Sequence, residues 1–218
     1  MDYRRITKLI DSCFIMPAIS REELNTMMFN MKLNGFNTLF VSPNQVACVA
    51  KVFDKVGTII GDDLNLEIKV LSAKKAIEEG ADTVAFFVNL SPLKNRDYQM
   101  IEEELTKMVN EIKAYGAKAE VYIQNEFLTK DELVRLCRMI KRHDVDKVSL
   151  WVRDIEKEEL CDELILAKMI FNKSIDLKVS GYMQDLATLL LCIKAGATSF
   201  NLYNANEIAS ELRKSHEN

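Results

Sequence analysis

The sequence predicts an α/β fold, a (β/α)8 TIM barrel forming a single domain over 1–218, and three observations predict it. Short β-branched or aromatic runs alternate with longer amphipathic stretches from one end of the chain to the other. The short runs number eight. Several amphipathic stretches end at a glycine and re-enter a strand within about three residues, as a left-handed helix C-cap requires. Glu79-Gly80-Ala81-Asp82, Tyr115-Gly116-Ala117-Lys118 and Ala195-Gly196-Ala197-Thr198 are three copies of that junction. They mark a βα unit of roughly thirty residues. A doubly wound open sheet would alternate in the same way; the strand count and the resemblance below favour closure into a barrel.

The expected strands, in order, are Cys13–Met16, Thr38–Val41, Thr58–Ile60, Thr83–Val88, Ala119–Ile123, Lys147–Val152, Ile175–Val179 and Ser199–Leu202. Their composition suits burial on both faces, the condition of a parallel sheet wrapped by helices. Helices are expected over Arg21–Leu33, Gln45–Asp54, Glu67–Glu79, Tyr98–Tyr115, Lys130–Arg142, Glu158–Phe171, Asp185–Lys194 and Asn206–Lys214. In Glu158–Phe171, Leu160, Leu164, Ala167, Ile170 and Phe171 recur at helical spacing while charge fills the other face. A short N-terminal helix over 2–11 precedes the first strand, and 214–218 form a flexible tail.

Composition narrows the function classes. Hydrophobic residues make up 48% and charged residues 28%, which excludes a disordered or collagenous chain. A net charge of -4 and an isoelectric point near 5.4 give no broad positive field, so no nucleic-acid partner is expected. The longest apolar runs, such as Thr83 to Leu90, are too short to span a bilayer, and the N-terminus has no signal-peptide core. No membrane association and a cytosolic location follow as expectations. Cys13, Cys48, Cys137, Cys161 and Cys192 are odd in number and lack CxxC spacing, which favours reduced, buried thiols over disulfides or zinc. With His143 and His216 as the two imidazoles, no metal site is expected. The ten methionines, including Met16 before Pro17, read as core filler. No cofactor is expected either.

Several stretches, taken in order, carry a resemblance. They are Phe40-Val41-Ser42-Pro43-Asn44-Gln45-Val46, Ile59-Ile60-Gly61, Ala73-Lys74-Lys75-Ala76-Ile77-Glu78-Glu79-Gly80-Ala81-Asp82, Phe87-Val88-Asn89-Leu90 with Leu93-Lys94, Leu177-Lys178-Val179-Ser180-Gly181, and Ile193-Lys194-Ala195-Gly196-Ala197-Thr198. Their order and spacing resemble the deoxyribose-phosphate aldolases, class I aldolases on a TIM barrel, from about Ile10 to the last helix. The resemblance implies a lysine on the sixth strand that forms a Schiff base, a lysine on the seventh that lowers its pKa, and an aspartate on the fourth that shuttles protons. Here the sixth-strand position falls on Ser149 and the fourth-strand position on Ala85, while Lys178 keeps the seventh. A hydroxyl cannot form an imine, and a methyl has no proton to move.

Phosphate recognition is weakened as well. Tyr182 stands for the second glycine of Ser-Gly-Gly, and Asn201-Leu202-Tyr203-Asn204-Ala205 replaces the family's glycine-containing stretch after the eighth strand. Those substitutions remove the close backbone approach on which anion cradles depend. After the third strand, Asp62-Asp63-Leu64-Asn65 would present carboxylates to a phosphate.

Alternation within strands turns Lys147, Ser149, Trp151, Lys178, Ser180 and Glu120 inward. Lys178 with Glu120 and Asp11 could form an acid/base set at the C-terminal end of the barrel. The plainer reading is an ion pair in which Glu120 keeps Lys178 protonated and inert. Lys147 most simply opens the sixth strand; in a shifted register it would take the nucleophile's place. Ser149, Trp151, Ser180, Tyr182, Tyr203 and Asn89 are the expected pocket lining, with Trp151, Tyr182 and Tyr203 either lining an apolar pocket or plugging the mouth. Arg153 is a candidate anion contact at the rim.

The functional expectation is thus a ligand-binding or scaffold barrel without ordinary aldolase activity. The alternative is a diverged carbon–carbon lyase acting on a small aldehyde or sugar phosphate through Lys178 with Glu120. A small-molecule ligand is the expected partner, and the outer helices are candidates for a homodimer contact.

Overall fold

The computed structural model describes residues 3–16, 18–61, 64–152 and 157–217. Eight parallel strands close on themselves in sequence order: β1 (Ile10–Phe14), β2 (Leu39–Val41), β3 (Val56–Ile60), β4 (Thr83–Phe87), β5 (Lys118–Ile123), β6 (Lys147–Val152), β7 (Asp176–Gly181) and β8 (Ser199–Leu202). Closure is made where Ile10, Asp11 and Ser12 of β1 pair with Phe200, Asn201 and Leu202 of β8. The expected TIM barrel is therefore present.

The helices are α1 (Tyr3–Thr7), α2 (Arg21–Asn34), α3 (Val46–Val49), α4 (Leu66–Glu78), α5 (Ser91–Lys94), α6 (Tyr98–Ala114), α7 (Lys130–Ile140), α8 (Lys157–Phe171), α9 (Leu186–Ala195) and α10 (Ala205–Glu217). Local chemistry sets their starts. Ser20 with Glu23, and Thr129 with Glu132, form reciprocal capping boxes at the starts of α2 and α7. Asn65, Asp97 and Asp185 cap α4, α6 and α9 with one side-chain oxygen each. At the other end, Gly116 adopts φ 78°, the left-handed conformation anticipated at that junction.

The main differences from the sequence expectation lie at the two ends of the chain and after β2. The first strand begins at Ile10, so the helix expected over 2–11 is confined to Tyr3–Thr7. Asp11 sits in the strand because Lys178 pairs with it inside the barrel, and Ser12 turns outward to the Met27 sulfur of α2 at 3.4 Å. The helix expected over Gln45–Asp54 is a 3-10 turn, Pro43–Gln45, followed by the single turn of α3. The last helix continues to Glu217, across most of the segment expected to be a loose tail.

Two separate packing regions result. Outward strand residues such as Leu39, Val84, Val121, Leu150, Val179 and Phe200 join helix residues in one large apolar layer. Inside the barrel Cys13, Phe40, Ala85 and Tyr122 form a second, smaller cluster, flanked by Ile15, Ile59, Phe87 and Trp151. Glycine makes room for it: a Cβ on Gly57 would meet the Phe40 ring at 2.6 Å. Gly181, at φ 126°, allows β7 to approach β6 so closely that a Cβ would lie 2.2 Å from the Val152 carbonyl oxygen.

The first and last helices are tied together outside the barrel. Asn34 accepts from the Tyr3 hydroxyl at 2.9 Å and from the Arg213 guanidinium, and donates to Asn206 at 3.0 Å.

Candidate functional site

The barrel interior is built in tiers. Low in the barrel, Lys178 is the third residue of β7, Glu120 the third of β5 and Asp11 the second of β1. Their inward side chains meet although the three strands are not neighbours. Lys178 Nζ donates to Asp11 Oδ2 at 2.6 Å and to both Glu120 oxygens at 2.7 and 2.9 Å. It also lies 4.6 Å from the centroid of the Phe40 ring. Lys178 has 0% exposure, and both carboxylates are buried.

The electrostatics follow from this crowding. Burial alone would lower the Lys178 pKa, but the Asp11 and Glu120 charges outweigh it and hold the ammonium above the ordinary lysine value. Two carboxyl groups share one cation in a dry site. Asp11 Oδ1 also accepts from Asn37 Nδ2 at 3.0 Å and from the Thr38 backbone N–H at 3.1 Å. Glu120 makes its hydrogen bonds to Lys178 alone among the described residues. Burial accordingly raises the Glu120 pKa, against the opposing pull of Lys178.

The next tier is neutral and polar. Ser149 and Ser180 share a 2.5 Å hydrogen bond, and Asn201 donates to the Tyr122 hydroxyl at 2.8 Å. Asn201 Oδ1 has no partner among the described residues. Burial pushes the Cys13 thiol up to about 12, which keeps it protonated.

Aromatic rings cover this tier toward the C-terminal ends of the strands. Phe87 meets Tyr122 edge-on at 5.5 Å and Trp151 at 5.2 Å, Trp151 lies 6.1 Å from Tyr122, and Tyr203 meets Trp151 at 6.0 Å. These are favourable quadrupole geometries. Asn125 fixes Trp151 from outside: its Oδ1 accepts from the Trp151 backbone N–H at 2.8 Å, and its Nδ2 donates to Glu163 at 2.7 Å.

Glu120, Lys178, Ser149, Ser180 and Trp151 face inward as alternation predicts. Lys147 opens β6 and donates to Ser199 Oγ at 3.2 Å, well removed from the upper tiers. The triad, however, lies toward the N-terminal half of the barrel and not at its C-terminal end. Tyr182 stands apart from the ring cluster, 56% exposed, donating to Glu207. Asn89 turns its side chain to the Ser91 N–H at the start of α5, while its own N–H donates to buried Glu104. Arg153 and Pro17, like Asp62 and Asp63, lie outside the described residues. Cys48 is exposed, against the expectation of buried thiols, because its single-turn helix covers little of its surface. Met16 is exposed as well.

Tyr122, Asn201 and Phe87 are interior residues that the sequence analysis did not place in the pocket. Tyr122 was within reach, since it lies two residues beyond Glu120 on the same face. Among the described residues, no group of three His, Cys, Asp or Glu side chains gathers as metal ligands would. Nor is any described helix long and apolar enough to cross a membrane.

No family model matches the chain. Curated relatives do. The deoxyribose-phosphate aldolase of Aciduliprofundum boonei is 25% identical over 219 residues, covering 97% of this chain and 99% of the relative. That of Thermococcus kodakarensis is 26% identical over 206 residues, covering 90% and 92%. Among solved structures, QR15, an aldolase, superposes with a TM-score of 0.87 at 25% identity over 97% of both chains. The tetrameric deoxyribose phosphate aldolase of Aeropyrum pernix gives 0.86 at 19% identity, covering 98% of this chain and 93% of its own. In fold and along nearly its whole sequence, the chain is similar to the deoxyribose-phosphate aldolases.

Proposed function

We propose that this barrel does not perform Schiff-base aldolase chemistry and serves instead as a ligand-binding or scaffold protein. The observation that carries the reading is Lys178, the lysine held in common with the family pattern, clamped by Asp11 and Glu120 without solvent contact. An amine attacks an aldehyde only when neutral, and two adjoining carboxylates favour its protonated form. Ser149 and Ala85, at the positions matched to the family's nucleophile and proton shuttle, supply neither chemistry. Ring packing by Phe87, Trp151 and Tyr203 above the polar tier adds support, since it occupies space where a substrate would approach Lys178.

The diverged lyase remains the second reading. It requires Lys178 and Glu120 to touch a substrate, and their complete burial speaks against it. A small-molecule ligand at the ring-lined mouth, a cytosolic location and assembly as a homo-oligomer complete the proposal. The tetrameric relative supports the last of these.

Borohydride trapping with acetaldehyde and, separately, deoxyribose 5-phosphate, followed by peptide mass mapping, tests it. The folded protein should yield no reduced adduct. An adduct on Lys178 would make the protein a relocated Schiff-base aldolase and defeat the proposal, and one on Lys147 would defeat it equally.

A further inference from the structure

Outside the barrel, a cleft of about 580 Å³ runs between α6 and α7. One wall carries Tyr98, Gln99 and Glu102; the other carries Arg135, Arg138 and, just past the end of α7, Arg142. Nine arginines occur in the chain, and three of them fall within eight residues at the end of α7 and just beyond it, although the net charge is -4. Spacings of three and four residues place them on one face.

The charges in the cleft are unevenly satisfied. Glu102 is shared by the Arg142 guanidinium at 2.7 Å and the His143 ring at 2.9 Å. Arg135 lies over the Tyr98 ring, 4.8 Å from its centroid, which steadies the guanidinium and leaves it without a carboxylate partner among the described residues. Arg138 is exposed and has no ion pair among the described residues. Asp131, at the first turn of α7, is the one further acid lining the cleft.

We propose that this cleft is a binding site for a diphosphate group, separate from the barrel interior. Guanidinium forks match phosphoryl oxygens in a planar, two-point contact that a lysine cannot reproduce. From Arg135 to Arg142 the helical rise is about 10 Å, too long for one phosphate to span but within reach of two linked phosphoryl groups. Arg135 and Arg138 supply the uncommitted charge, and Arg142 exchanges part of its Glu102 contact for the ligand. Because Arg135 already covers one face of Tyr98, the site offers little stacking surface, and recognition rests on the phosphates.

The test is calorimetric titration of the full chain at physiological ionic strength with inorganic pyrophosphate and with ADP. Saturable binding of both is expected. Equal affinities would identify free diphosphate as the natural form, and tighter ADP binding a nucleotide. Arg138→Ala should weaken binding at least about tenfold, the loss of one charge-assisted contact. Arg138→Lys should recover only part of that loss, and Lys173→Ala, which removes an exposed charge elsewhere, should change nothing. Arg138 holds no described partner, so its variants are expected to fold; a thermal melt checks this. Absence of binding at millimolar ligand would overturn the proposal. So would equal weakening by Lys173→Ala and Arg138→Ala, which would mark nonspecific attraction.

Discussion

Lys69 and Lys178 are both fully buried, and each has a carboxylate within 2.7 Å, yet they occupy different regions and are balanced differently. Lys69 lies in the layer between helices and sheet. It donates to Glu104 of α6 at 2.6 Å and to the Phe87 carbonyl at 2.9 Å, while Glu104 also accepts from the Asn89 N–H. One cation meets one anion, and backbone groups take up the spare hydrogen-bonding capacity. Lys178, in the barrel interior, faces two carboxylates. The first arrangement is a fastener that locks the end of β4 to two helices. The second sets two acids against one cation, and burial raises the Glu120 pKa there.

The largest effect should follow Lys178→Ala, which strands Asp11 and Glu120 without a cation. A loss of about 3–5 kcal/mol, or failure to fold, is expected in denaturant unfolding. A loss under about 1 kcal/mol would erase the distinction between the two lysines. Lys69→Ala should cost somewhat less, about 3 kcal/mol, because Glu104 keeps the Asn89 N–H. Its signature is local: hydrogen exchange at Asn89 should speed up more than exchange in β7.

Tyr203→Ala should have a smaller effect, about 1 kcal/mol, because Tyr203 is partly exposed. Trp151 is the single tryptophan, so removal of the ring at 6.0 Å should shift its fluorescence to the red. An unchanged emission maximum would show that Tyr203 does not shield it.

Glu120→Gln should have the smallest effect at neutral pH, within about 1 kcal/mol, since Lys178 keeps Asp11 as its ionic partner and the amide oxygen as an acceptor. The sign of its pH dependence is fixed. A carboxyl whose folded pKa is raised stabilises the fold below its unfolded value, near 4.5, and that contribution is lost as pH rises through the folded value. Wild-type stability relative to Glu120→Gln should therefore fall as pH rises above the unfolded value, as paired denaturation curves would record. A rise would mean that Lys178, not burial, controls Glu120.

Barrel architecture was legible because outward strand residues are apolar whatever lies inside, and period and glycine junctions are local signals. Positions on β5 to β7 were also legible, since Glu120, Ser149, Ser180 and Lys178 follow strict alternation. The first strand was placed three residues late because Asp11 and Ser12 look unlike strand interior. The environment of Asp11 is set by Lys178, 167 residues further along the chain, which no window of sequence contains. Asn125 was missed for a similar reason: a polar residue in a short turn gives no hint that it spans the Trp151 backbone and Glu163.

That long separation also bears on how the protein is made. On the ribosome, β1 emerges first, but its outer edge waits for β8, and the Asp11 carboxylate waits for Lys178. Until then Asp11 lacks its cation and the strand edge stays unpaired, so no partial chain can seal the ring. Pairing of Asp11 with Lys178 is thus a late event in synthesis, and the nascent barrel passes through an open-edged stage in which association with other chains is the competing outcome.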